Sequence, residues 1–250
     1  MLAVRDLSVA FGGVKAVDGV SFDVEAGEIF TIIGPNGAGK TTIFNLVSRL
    51  VPATSGRIVF GDHDLASVPP QGIARLGIAR TFQNIELFDH ASVTDNLLLG
   101  CHVARRTGTV AELFYTPAVR AQERAFRRRV EEIIDFLELA HHREAPIASL
   151  PYGVRKVVEL GRALATAPKL LLLDEPSSGL NPEETGDMAH WIRDIRDDLG
   201  ITIMMVEHDM TLVGRVSDRV MVMVSGRVLT IGDATAVMAD PRVVRAYLGD

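Results

Sequence analysis

The chain has 250 residues and a formal net charge of −6, with 26 Lys and Arg against 32 Asp and Glu. One domain, or one domain with a subdomain, is expected at this length. The charge excludes a nucleic-acid binder that works by phosphate neutralisation, because such a protein needs a basic face. A single cysteine, Cys101, excludes an intrachain disulfide and fits a reducing compartment.

Arg5 and Asp6 interrupt the start of the chain, and no signal peptide is expected there. Strand candidates come first, at Leu2 to Phe11, Val20 to Val24, Glu28 to Ile33 and Arg57 to Phe60, separated by Gly and Asp turns. They predict an antiparallel β edge. Between the third strand and an apolar stripe of Ile43, Phe44, Leu46, Val47 and Leu50 lies Gly34-Pro35-Asn36-Gly37-Ala38-Gly39-Lys40-Thr41. This is a full match to the phosphate-cradling loop, in the required order of strand, loop and helix. Glycines let backbone N–H groups turn inward around a β-phosphate, the helix N-terminus adds partial positive charge, and Lys40 adds a mobile full one. Residues Gly34 to Lys40, with Thr41 and Thr42, are therefore the candidate nucleotide-binding set, and Thr41 would place its hydroxyl on Mg²⁺.

From Ser92 to Ala165 the periodicity is helical, and Pro117, Pro146 and Pro151 separate the helices. Arg127-Arg128-Arg129 falls in a helix carried by Phe126, Val130, Ile133, Ile134 and Leu137, so it is read as a solvated face. Strand and helix alternate afterwards. Leu170 to Leu173 and Ile201 to Val206 are buried strands, and Asn181-Pro182 opens a helix with Met188, Trp191, Ile192, Ile195 and Leu199 on one side. Trp191 is placed in the core, and Gly200 is placed as the C-terminal cap. A parallel sheet flanked by helices follows. The apolar runs, Val220 to Val224 among them, are far shorter than the roughly 20 residues that span a bilayer, so a soluble chain is expected.

Leu170 to Leu173 run straight into Asp174-Glu175-Pro176, which delivers two carboxylates at the edge where open α/β sheets bind ligands. Asp174 can hold Mg²⁺ through its hydration shell, and Glu175 can orient and deprotonate an attacking water. Taken alone, the pair is equally a helix cap. The phosphate loop favours hydrolysis.

From these residues, the chain resembles the ATPase subunit of an ATP-binding-cassette (ABC) transporter, from Leu2 to Asp250. The resemblance implies an α/β fold, a P-loop NTPase of ABC type with a RecA-like core, an antiparallel β edge and a helical subdomain. The core would span 1–83 and 166–225, the helical subdomain 84–165 and a tail 226–250. ATP and Mg²⁺ are the implied ligands. Gln83, in Thr81-Phe82-Gln83-Asn84, matches the glutamine that touches Mg²⁺ and the attacking water and opens the segment facing the membrane subunits; an ordinary surface amide is the alternative. His208, in Val206-Glu207-His208-Asp209, matches the histidine that bonds the γ-phosphate. Phe11 matches the aromatic that stacks on adenine, a contact worth about 0.5–1.5 kcal/mol, with core packing as its rival. Ser178-Gly179-Leu180-Asn181 matches the loop that meets the other subunit, and it also suits a turn capping the helix at Pro182.

One departure stands out. Family members complete each ATP site with a Leu-Ser-Gly-Gly-Gln-like segment from the opposite subunit, and here that stretch is Leu150-Pro151-Tyr152-Gly153-Val154. Pro151 has neither hydroxyl nor backbone N–H, although it suits the first turn of a helix. Losing the serine's charge-assisted hydrogen bond would cost about 1.5–3 kcal/mol of γ-phosphate recognition if nothing replaced it. This chain's signature side is therefore expected to be the weaker half, with Gly153 still permitting close approach to phosphate.

Arg80 to Phe88, the insertion around Leu113-Phe114-Tyr115-Thr116-Pro117, and the ending Arg245-Ala246-Tyr247-Leu248-Gly249 resemble the longer ATPase of branched-chain amino-acid importers. That resemblance implies a second ATPase subunit, two membrane permease subunits, a substrate-binding protein and a peripheral place on the cytoplasmic side of the membrane. Ile85, Leu87, Phe88 and Val93 are then candidates for the groove that receives a permease helix, with burial in the helical subdomain as the alternative. Lipopolysaccharide-export ATPases share the Tyr-Gly signature and the Tyr-Leu-Gly ending but lack the insertion. A soluble iron–sulfur-assembly ATPase would need no membrane partner, and a chromosome-maintenance ATPase would need coiled-coil heptads that the sequence lacks.

Overall fold

The computed structural model describes residues 1–105 and 107–248, so the ending read as Tyr247-Leu248-Gly249 leaves the described residues at Gly249. The chain forms two compact units, residues 1–83 with 169–250 and residues 84–168.

The first unit opens with β1 (Leu2–Phe11) and β2 (Val14–Val24). In β1, Leu2, Val4, Leu7 and Val9 face the core, and the broken alternation between Val4 and Leu7 coincides with a bulge. Strand β2 starts six residues before the expected Val20, because Val14 to Gly19 is exposed or half-buried apart from the buried Val17 and breaks the apolar alternation that marks a strand. Next come β3 (Ile29–Ile33) and α1 (Lys40–Val47). The helix stops short of Leu50, which is 57% exposed. The strands β4 (Ser55–Phe60) and β5 (His63–Asp64), the short helix α2 (Ile73–Leu76), and β6 (Ile78–Arg80) complete the N-terminal part of this unit.

The second unit holds α3 (Val93–Gly100), α4 (Thr109–Leu113), α5 (Pro117–Phe136) and α6 (Tyr152–Ala165). Val93, Leu97, Val130, Ile134, Val158 and Leu164 are all buried, as the helical stripes require. Arg127 and Arg128 are exposed. Arg129 corrects the reading of that run as a solvated face. It donates to Leu164 O at 2.8 Å and Ala165 O at 3.1 Å, where a cation offsets the negative end of α6.

The chain then returns to the first unit through β7 (Leu170–Asp174), α7 (Pro182–Asp197), β8 (Thr202–Val206), α8 (Met210–Val216), β9 (Arg219–Val224), β10 (Arg227–Asp233), α9 (Ala234–Met238) and α10 (Pro241–Leu248). The segment from 226, read as a tail, thus contributes a strand. Trp191 is half-buried rather than core, and Leu199 is exposed. Gly200, at φ 65, ends the turn after α7 by donating to Arg196 O.

Two sheets result among the described residues. One is antiparallel, in the order β2-β1-β4-β5, and the other runs β10-β9-β3-β8-β7-β6 with only β10 antiparallel. Phe22 and Phe30 stack at 5.4 Å within a shared core that includes Val4, Ile32, Phe44 and Met204. Strands β3, β7 and β8 are buried on both faces, which explains their continuous apolar sequences. Because β3, β8, β7 and β6 are adjacent and parallel, their carboxyl ends deliver four loops to one edge.

Candidate active site

The loop after β3 is shaped by contacts that only glycine allows. A Cβ on Gly34 would stand 2.2 Å from Met223 O, and one on Gly39 would stand 2.3 Å from Ala16 O, with Gly39 at φ 98. The first helical bond of α1 runs from Ile43 N–H to Gly39 O, so the amides of Lys40, Thr41 and Thr42 project from the helix end. Gly39 caps that end without a side chain. Lys40 is buried, and its ammonium donates to Gly34 O at 2.7 Å and Pro35 O at 3.2 Å. Burial lowers its pKa below the ordinary lysine range, while Glu175 and Asp174 push it back up.

Asp174 ends β7 almost fully buried. Its Oδ2 accepts from Arg80 Nη2 at 2.6 Å, and its Oδ1 has no hydrogen-bond partner. Glu175 follows at φ 51, an uncommon conformation for a residue with a Cβ. Its N–H donates to Val206 O at 2.9 Å, which pins the turn to β8. Gln83 Nε2 donates to Glu175 Oε2 at 2.9 Å, and His208 Nδ1 lies 3.8 Å from that oxygen. Lys40, Asp174, Glu175, Gln83 and His208 therefore share one edge.

Two residues with no role assigned from sequence hold this edge. Arg80 is one. The other is Glu207, fully buried after β8, whose Oε1 accepts from the Ser177 N–H and hydroxyl. Its Oε2 accepts from the N–H groups of His208 at 2.6 Å and Asp209 at 3.2 Å. One carboxylate thus ties the loop after β7 to the loop carrying His208, with charge-assisted bonds in a dry setting. The only sequence signal was an acid directly after an apolar strand.

Phe11 is 49% exposed, which removes core packing as its explanation. Asn181 accepts from Glu183 and Glu184 N–H, and Glu184 returns a bond to Asn181 N–H, a capping box that starts α7. In the second unit Pro151 is the residue before α6, one position earlier than the expected first turn, and no side chain caps that helix. Gly153 and Leu150 are buried and Val154 half-buried, so Pro151 and Tyr152 form the outward face of the signature segment. Val93 is fully buried and Phe88 61% exposed, with Ile85 and Leu87 between them; the four groove candidates do not share one surface.

The edge suits a Mg²⁺–nucleotide. Thr41 is exposed at the helix end, and the unpaired Asp174 Oδ1 is a hard oxygen donor of the kind Mg²⁺ takes beside substrate phosphates. Among the described residues no cluster of three or more His, Cys, Asp or Glu could hold a metal by itself, and a cation shared with phosphates needs none.

The ABC transporter family profile matches residues 17–178. The chain belongs to the ABC transporter family. It is 39% identical to LivG of Salmonella typhimurium and 38% identical to BraF of Pseudomonas aeruginosa, both high-affinity branched-chain amino acid transport ATP-binding proteins, over 100% of this chain and 98% of each relative. A solved ATP-binding cassette of an ABC transporter in its ADP conformation superposes with a TM-score of 0.86 at 32% identity, covering 100% of this chain and 99% of that one. As an ABC ATPase, the chain hydrolyses ATP to ADP and phosphate in support of transport. No helix among its described residues is long and apolar enough to cross a membrane.

Proposed function

We propose that this ABC chain powers import of branched-chain amino acids, bound peripherally to two permease subunits and paired with a second ATPase subunit. The observation that carries the catalytic part is the convergence of Gln83 and His208 on one oxygen of Glu175. Full-length likeness to LivG and BraF supports the cargo.

Lys40 and the amides at the start of α1 bind the β- and γ-phosphates, and Phe11 stacks on adenine. Mg²⁺, held by Thr41 and Asp174, would neutralise charge on the phosphate oxygens. Glu175 accepts the proton of the attacking water while Gln83 orients that water. The His208 imidazole bonds the γ-phosphate as charge builds on it. The partner subunit adds its signature segment above the γ-phosphate, and Leu150 to Val154 of this chain do the same for the partner's site. Ser178 to Asn181 face the partner across that contact.

Purification of the native complex tests this reading. It should contain a second ATP-binding subunit and two membrane proteins, and its ATPase should rise when leucine, isoleucine or valine is added with a periplasmic-type binding protein. Stimulation by lipopolysaccharide instead, or isolation without membrane proteins, would overturn it.

A further inference from the structure

Arg80 is the last residue of β6, and both of its terminal amino groups are bonded, while its Nε is buried without a hydrogen-bond partner. Its side chain is 7% exposed, and that of Asp174 is 3% exposed. While Nη2 donates to Asp174 Oδ2, Nη1 donates to Asn45 Oδ1 at 2.8 Å on α1 and to Ser48 Oγ at 2.9 Å just beyond it. The rings of Phe44 and Phe82 flank the guanidinium at 5.5 and 5.0 Å. A planar fork bonded at both ends and faced by two rings has one orientation, which a lysine cannot reproduce.

The consequence falls on Asp174. With Oδ2 taken, rotation of the carboxylate is fixed, and Oδ1 is the oxygen left buried without a partner. Leaving it so costs desolvation free energy that no hydrogen bond within the protein returns. A divalent cation with its water shell, placed between this oxygen and bound phosphates, supplies the missing interaction. Phe82 rests on the same guanidinium one residue before Gln83, so the metal-facing carboxylate and the entry to Gln83 share one anchor.

We propose that Arg80 is a positioning residue of the Mg²⁺–nucleotide site: it reserves Asp174 Oδ2 and thereby presents Oδ1 to the cation. The proposal rests on reading this edge as a Mg²⁺-dependent ATP site. Arg80 acts through Asp174, since both of its terminal amino groups are taken by protein oxygens.

The full chain is titrated as wild type, Arg80→Met, Arg80→Lys and Asp174→Asn. ADP affinity is measured in EDTA, and Mn²⁺ uptake by the ADP complex is followed through the electron paramagnetic resonance signal of the free ion. Arg80→Met should leave ADP affinity in EDTA unchanged and weaken Mn²⁺ uptake about 10- to 100-fold, the usual effect of losing a residue that orients a metal ligand. Arg80→Lys should fall between Arg80→Met and wild type. Wild-type Mn²⁺ uptake in Arg80→Met overturns the proposal, and so does an equal loss of ADP affinity in EDTA, which marks a purely structural role. If near-UV circular dichroism shows Arg80→Met unfolded, Arg80→Lys is judged by the same criteria. A wild-type chain that binds no ADP overturns the underlying site reading as well.

Discussion

Around Glu175, the residues of the proposed hydrolytic half-site are tied to neighbours: Gln83 bonds the Glu175 carboxylate, Arg80 bonds one oxygen of Asp174, and Glu207 accepts from the backbone N–H of His208. At the signature segment, Pro151 and Tyr152 face outward, and no side chain caps the helix behind them. In the proposed assembly, each ATP site takes one half of each kind. Under the proposed pairing with a second ATPase subunit, this contrast would equip the chain to hydrolyse the ATP it holds more fully than to assist its partner, and the two sites of such a dimer would differ.

The comparison breaks most visibly if the hydrolytic half is disabled. Glu175→Gln keeps the shape and removes the proton acceptor, so single-turnover hydrolysis in the assembled complex should fall by up to about 10⁴-fold, with ATP still bound. Loss of binding together with rate would place Glu175 in the fold rather than the chemistry.

Lys40→Met removes the mobile charge and should reduce hydrolysis about 10²- to 10³-fold. Its stability effect depends on pH with a definite sign. The ammonium is disfavoured in the folded chain because burial depresses its pKa, so it penalises folding below that pKa, and the penalty fades as pH rises through it towards the unfolded value. Melting temperatures of wild type and Lys40→Met should therefore shift in favour of wild type between neutral and alkaline pH. A constant difference across that range would show that the burial is not felt.

Much of this contrast was legible in the sequence. The phosphate loop, the leucines of β7 and Pro151 are local patterns whose chemistry does not depend on distant partners. Arg80 and Glu207 were not legible as site residues, because their meaning lies in contacts 94 and 30 positions away. The start of β2 is hard to see in the sequence because Val14 to Gly19 lacks apolar alternation, and the depth of Trp191 is not encoded because helical spacing locates a face but not how far it is covered. The strand at 227–233 was missed for a related reason: as an edge strand it is only half-buried and lacks the apolar run of its central neighbours.

Glu207→Gln sharpens the comparison from inside the hydrolytic half. An amide nitrogen would face N–H donors at one end of a fully buried group, costing about 1–3 kcal/mol. Thermal unfolding should register that loss, and hydrolysis should weaken several-fold through misplacement of His208. Unchanged melting would mean that the four bonds to Glu207 contribute little.

The smallest expected effect bears on the central claim most directly, because it concerns the half that this chain lends to its partner. Pro151→Ser restores a hydroxyl and a backbone N–H at the signature, and one recovered charge-assisted hydrogen bond is worth about 1.5–3 kcal/mol at most. The steady-state ATPase rate of the assembled transporter should rise several-fold over wild type. An unchanged or lower rate would contradict the account, since Pro151 would then not weaken the half-site this chain lends to its partner.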